Sequence, residues 1–342
     1  LFFLVSAITL SISMENRNES NFNFYIRRFF RIAPLYYFGI FLYYIFRLAV
    51  ESHRSGEIVL IPEGYSELKI IQNIFFLHGL SPENYNFVVP GGWSIATEMY
   101  FYAIFPFLYF VHKKYKFKIF LLFSLLICLT AFLVQCLDSR AIGFKDNLKA
   151  EGIMFDFGYT TLLNNITIFL IGIITVKLIN RSFIINFFHY ILGFFFLFIS
   201  LYYLNLFRLE GLGIKFLPFL NLNTGLNGFF YPIFFAMGMC PIIFSISKKE
   251  NFKNKIFKQI IEVGKYSYCI YLLHFIIIDI LYSLFKKYFF IYVELRIFKF
   301  FILFFFCVIV CFYLSKILSF FIEKPGINLG KKIIKKVNNS LD

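Results

Sequence analysis

Long apolar runs, repeated from one end of the chain to the other, constrain it most. A helix that crosses a bilayer needs about 20 mostly apolar residues. Runs of that kind fall near 33–50, 93–111, 118–136, 160–178, 183–204, 227–246, 266–285 and 298–320, with a shorter one at 1–13. Inside lipid every backbone N–H and C=O must find its partner within the segment, so such runs fold as helices. The expectation is an all-α, polytopic transmembrane helical bundle with eight full spans and one partial span. A single transmembrane domain would cover 1–342, its last part, 324–342, being a basic cytoplasmic tail. The run at 70–80 is too short to cross and carries Gln72, Asn73 and His78, which reads as an interfacial or re-entrant piece.

Composition agrees. Sixty per cent of the residues are hydrophobic and 15% charged, a balance that excludes an ordinary soluble domain. With 54 phenylalanines in the chain, no single one is assigned a function. The net charge of +15 does not point to nucleic acid, because the basic residues sit in short clusters between apolar runs. Topology explains them better. If the segment holding Arg27, Arg28 and Arg31 is inside, 21 of the 34 Lys and Arg residues fall on inner segments and 12 on outer ones, Lys316 lying within the last span. This predicts a multi-pass protein of the cell's inner membrane with its C-terminus in the cytoplasm. The outer loops at 51–92 and 137–159 are the longest and concentrate Glu, Asp, Gly and Pro, a natural place for an extracytoplasmic substrate to approach.

Few side chains here carry chemistry. The six cysteines lack zinc-type spacing and read as reduced packing residues. No phosphate-binding glycine loop, GxSxG turn, dinucleotide fingerprint or metal cluster occurs, so no permanently bound cofactor is expected. Arg27, Arg28 and Arg31 share one arc of a helix at i, i+3 and i, i+4, which suits a phosphate-rich ligand or simply marks the inner side of the membrane. Glu98 follows Pro90-Gly91-Gly92-Trp93-Ser94 and lies at i+4 from Ser94, with Tyr102 continuing the polar face. It reads either as a helix-start carboxylate tied to a neighbour or as a site carboxylate that orients a base or a sugar hydroxyl. Ser267, Tyr271 and His274 form another stripe, in which the histidine either packs through a hydrogen bond or transfers protons. Glu323, ahead of Lys324 and Pro325, reads as an ion-pair partner where proline stops the last span.

Taken in order, Phe2-Phe3-Leu4-Val5-Ser6, Phe24-Tyr25-Ile26-Arg27-Arg28-Phe29-Phe30-Arg31, Gly92-Trp93-Ser94-Ile95-Ala96-Thr97-Glu98, Ser267-Tyr268-Cys269-Ile270-Tyr271-Leu272-Leu273-His274 and Ile322-Glu323-Lys324-Pro325 resemble the acyltransferase-3 family of integral membrane acyltransferases. That family includes bacterial O-acetylases of surface polysaccharides. The resemblance implies a domain of about ten helices, the first of which would precede Leu1 and carry an arginine and the histidine base. Leu1 lies inside an apolar stretch with no initiating methionine, in keeping with that expectation. The resemblance further implies transfer of an acyl group, acetyl above all, from cytoplasmic acyl-CoA as co-substrate to a carbohydrate hydroxyl outside, the acceptor being a surface polysaccharide or glycolipid. Arg28 and Arg31 would match the family's R-x-x-R pair, with Arg27 assisting; Glu98 and His274 would be the catalytic candidates, supported by Trp93, Ser94, Tyr271 and Glu323. Ala7 departs from the family's usual glycine after the serine, where close helix packing is expected. A transporter or flippase of a glycan precursor is the competing class, since few buried polar groups among many helices serve it equally well.

Overall fold

The apolar runs fold as helices. The computed structural model describes residues 1–17, 20–143, 160–180, 186–208, 224–247, 255–288 and 296–340. Its helices are α1 (Phe2–Arg17), α2 (Asn21–Ser55), α3 (Glu67–Ile74), α4 (Gly92–Lys114), α5 (Phe117–Gly143), α6 (Leu162–Asn180), α7 (Phe187–Arg208), α8 (Thr224–Ser247), α9 (Lys255–Lys265), α10 (Ser267–Tyr288), α11 (Arg296–Leu318) and α12 (Lys324–Asn338). No strand occurs among the described residues, and the fold is all-α and polytopic. Seven of the described helical stretches are long and apolar enough to cross a membrane, and α7 contributes a slightly shorter apolar run at 187–203. Of the outer loop expected at 137–159, the part from 144 onward lies outside the described residues.

Two expectations about helix ends are corrected. The second helix begins well ahead of its apolar run: the arginines lie on α2 itself, which starts where the Ser20 hydroxyl accepts the Asn23 N–H (3.3 Å) and runs on through Pro34 for 35 residues. A helix of that length is about 50 Å long, more than a bilayer's apolar thickness of about 30 Å, so its ends project beyond the lipid. Nor does Pro325 stop the last span. A π turn at Ser319–Glu323 widens the helix just ahead of it, and Pro325 then occupies the first turn of α12, where its missing N–H is not needed.

The contacts divide the chain into two compact units, the first made of Leu1–Glu19, Gly79–Tyr85 and Trp93–Asn251. In it α1 packs on α6, and α5, α6 and α8 pack on one another. The α1–α6 approach is close: a Cβ at Gly172 would lie 2.7 Å from the Ala7 Cβ and 2.9 Å from the Leu4 carbonyl oxygen. The intimate packing expected at position 7 is therefore kept, with the glycine on the opposite helix. α7 meets α8 in the same way, since the Cβ of any larger residue at Gly238 would come within 2.9 Å of the Gly193 carbonyl. Phe101 of α4 stacks on Phe169 of α6 at 3.7 Å between ring centroids, and Phe3 of α1 joins them.

The second unit comprises Ser20–His78, Asn86–Gly92 and Phe252–Asp342. Its axis is α2, crossed by α10 and α12. Two tyrosines tie α10 to α2: Tyr43 donates to the Leu272 carbonyl and Tyr268 to the Ile32 carbonyl, both at 2.9 Å. α12 runs antiparallel to the first half of α2, with Gly326 against Pro34, Gly330 against Phe30, and the Asn23 side chain donating to Asn338 (3.1 Å). α10 also packs on α11 through Leu273, Ile277, Cys307 and Cys311. The five cysteines whose side chains are described are all free thiols, as packing residues would be. The piece at 70–80 is two short elements, α3 and a 3-10 turn at Leu77–Leu80, which expose Leu68, Ile71 and Phe75 while burying Asn73 and His78.

Candidate functional site

The arginine face is built by α2 and reinforced by its neighbour. Helical spacing brings Arg27, Arg28 and Arg31 to one side, the first two half-buried and the third exposed. Arg28 lies 5.7 Å from the centroid of the fully buried Phe24 ring, which fixes its stem while the guanidinium stays planar and charged. Because α12 lies antiparallel along this part of α2, its exposed Lys331, Lys332, Lys335 and Lys336 add positive charge to the same end of the second unit. The expected basic tail is thus an ordered helix beside the arginines.

Glu98, in the first unit, is buried to 4% exposure. Its Oε1 accepts hydrogen bonds from Ser6 of α1 (2.7 Å) and from Tyr102 one turn further along α4 (2.5 Å). Tyr102 was anticipated from the spacing; Ser6 was visible only as part of an N-terminal motif. Thr97 next to it donates to the Thr160 carbonyl (2.7 Å), and Trp93 meets Phe3 edge to face at 6.1 Å. Ser94 is buried on the same helix. The carboxylate is held by two hydroxyls in a site closed to water, which fixes its orientation.

The remaining candidates belong to the second unit. Tyr271 donates to the Gly91 carbonyl (2.8 Å), and Gly91 has φ +80°, a conformation that favours glycine. The same turn is held from the other side, the Gly91 N–H donating to Asn86 Oδ1 (2.5 Å). Tyr271 therefore fixes the turn that precedes α4. His274 Nδ1 lies 2.6 Å from the Tyr271 carbonyl. A carbonyl can only accept, so Nδ1 carries a proton, and in the neutral ring Nε2 keeps the lone pair. Glu323 has hydroxyl and thiol partners where an ion pair was expected: Ser319 donates to its Oε2 at 2.7 Å and Cys269 lies at 3.6 Å. The π turn explains this, because it rolls the carboxylate inward to 7% exposure.

Two further polar groups stand outside the motifs singled out in the sequence. His78, 1% exposed, has its Nε2 3.1 Å from the Gly92 carbonyl and 3.0 Å from the Tyr36 hydroxyl, which itself donates to Asn73 Oδ1 (2.7 Å). Tyr36 stacks with Phe76 and with His78, and Phe76 has φ +60°, a strained value for an aromatic residue. Burial pushes the imidazole down to about 4, so it is neutral at physiological pH. The other group is Asp279, exposed on α10 with no fixed partner of its own among the described hydrogen bonds and ion pairs. A carboxylate in an apolar span was itself the signal, since such residues are costly and face cavities. Among the described residues no group of three metal-ligating side chains occurs.

A family model described as an acyltransferase domain matches residues 1–316. No curated protein and no solved structure matches the chain.

Proposed function

The chain belongs to the acyltransferase-3 family of membrane acyltransferases, and from that premise we propose that it moves an acetyl group from cytoplasmic acetyl-CoA to a hydroxyl of a carbohydrate outside the inner membrane. The observation that carries the donor half is the arginine face of α2, with the lysine-bearing helix α12 packed antiparallel beside the same part of α2. A nucleotide-bearing thioester presents several phosphates, and planar guanidiniums take phosphate in paired hydrogen bonds. Arg28 and Arg31 hold those phosphates, Arg27 assists, and the α12 lysines raise the local concentration of the anionic donor.

Transfer then follows ordinary acyl chemistry. The acceptor hydroxyl gives its proton to a general base as its oxygen attacks the thioester carbonyl, and the tetrahedral intermediate collapses with loss of the CoA thiolate. General-base assistance contributes roughly 10²- to 10⁴-fold. His274, with its lone pair on Nε2, and Glu98, fixed by Ser6 and Tyr102, are assigned to orienting base or acceptor; Trp93, Ser94, Tyr271 and Glu323 support the helices that carry them.

Arg28→Ala and Arg31→Ala each test the donor assignment. Both variants should reach the membrane in normal amounts while acetyl release from isolated surface glycan, measured by mass spectrometry, falls to background. Wild-type acetylation in both would sink it.

A further inference from the structure

The second unit contains a cavity that the donor arginines do not explain. It has a volume of about 540 Å³ and is lined by Arg47 and Arg54 of α2, Asp279 and Tyr282 of α10, and Phe275 and Pro90. A neighbouring cavity of about 650 Å³, walled by the 59–64 loop and Phe87, shares the same two arginines. Arg47 and Arg54 are i, i+7 on α2 and so stand on one face of it. Arg47 is sixteen residues, about 24 Å, beyond Arg31, close to the apolar thickness of a bilayer. The two arginine sets therefore occupy opposite ends of one helix, and the cavity lies at the end away from the proposed donor site. Asp279 stands about 10 Å before Lys286 on α10, still within the apolar stretch, where a carboxylate costs several kcal/mol unless water or a ligand faces it. The cavity supplies that face.

The charges specify what would fill it. Among the described residues neither Arg47 nor Arg54 forms an ion pair, and both are exposed. Glu51, between them, is already engaged by the Glu63 N–H (2.8 Å). The lining of the first cavity thus carries two guanidiniums and one carboxylate, a net positive charge, while Glu51 and Glu63 line the neighbouring cavity and keep their negative charge there. Its aromatic wall, Phe275 and Tyr282, offers the flat apolar surface on which the C–H face of a sugar ring rests, and Asp279 can accept from ring hydroxyls. A volume near 540 Å³ is within the range of small-ligand sites.

We propose that this cavity binds the acceptor through an acidic sugar residue, Arg47 and Arg54 gripping its carboxylate while Asp279 takes its hydroxyls. The proposal rests on the acyl-transfer reading and names the class of acceptor, an anionic glycan. The test uses the full chain in neutral phosphatidylcholine nanodiscs, titrated with trigalacturonate and with its carboxyl-reduced, uncharged counterpart. The wild type should bind the acidic trisaccharide at least tenfold more tightly, and the double variant Arg47→Gln/Arg54→Gln should lose that preference. Arg54→Gln alone, at the exposed end of α2, should reduce it even if the double variant folds poorly. Equal binding of both sugars, binding of neither, or a preference that survives both variants would overturn the proposal. So would loss of sugar binding when a third of the lipid is phosphatidylglycerol, which would reassign the cavity to a lipid headgroup. Acetylation of surface glycan by cells carrying the same gene separates the two claims. Acetylation without a preference for acidic sugar overturns the cavity assignment alone; a preference without acetylation overturns the transfer reaction instead.

Discussion

His78 is a residue whose importance comes from what folds around it. In sequence it is one polar residue in a short apolar run, and its partners Tyr36 and Gly92 are 42 and 14 residues away. No local pattern links them; only the packing of α2 against the turn before α4 does. The consequence is measurable through pH. The imidazole titrates near its ordinary 6.5 when unfolded and near 4 when folded, because burial disfavours the cation. Between those values the unfolded chain binds a proton that the folded chain does not, so stability present above pH 6.5 is lost as pH falls toward 4. The full loss is on the order of 3 kcal/mol. Thermal unfolding in detergent should therefore drop between pH 7 and 4.5, and His78→Gln should flatten that dependence while lowering stability at pH 7. Equal slopes for the two proteins would mean that folding does not shift the titration of this imidazole. Glu98 makes the complementary point. Its Tyr102 contact was legible, because i and i+4 share a helix face, whereas Ser6 is a partner 92 residues away.

At the level of elements, the apolar runs located the helices because lipid leaves a long apolar segment no other way to satisfy its backbone. Ends and interruptions were not legible to the same degree. α2 extends back to Asn21 because Ser20 caps it, and Pro325 is accommodated because a π turn precedes it; both depend on a few hydrogen bonds that hydropathy does not register. Helix contacts were legible only where small residues lie in known motifs. Ala7 replaces an expected glycine, and the close approach it threatened is preserved by Gly172. Gly172→Ala would place a Cβ 2.7 Å from the Ala7 Cβ and 2.9 Å from the Leu4 carbonyl oxygen, and the second of these is backbone that cannot turn aside. Overpacking of this kind costs about 1–3 kcal/mol. Gly172→Ala should lower the melting temperature of the purified protein, and adding Ala7→Gly should recover part of the loss but not all, since the carbonyl contact remains. Full recovery would show that the side-chain contact alone governs the fit.

For the whole molecule the question is which end of α2 faces the cytoplasm, and the second unit carries an internal ruler with which to test it. Asn338 is hydrogen-bonded to Asn23, so the end of α12 lies beside the start of α2. Ser55 closes the other end of the 35-residue helix α2, about 50 Å from Asn21. A 30 Å apolar layer across that helix must separate Ser55 from Ser340 whatever the orientation. From the excess of basic residues, including the arginines of α2 and the lysines of α12, we propose that the Ser340 end is inside. In whole cells a membrane-impermeant maleimide should label Ser55→Cys at once and Ser340→Cys only after lysis. The reverse pattern would keep the fold and invert the orientation, moving the arginine face to the outside and removing the cytoplasmic donor. Labelling of both from the same side would contradict the passage of α2 through the membrane itself.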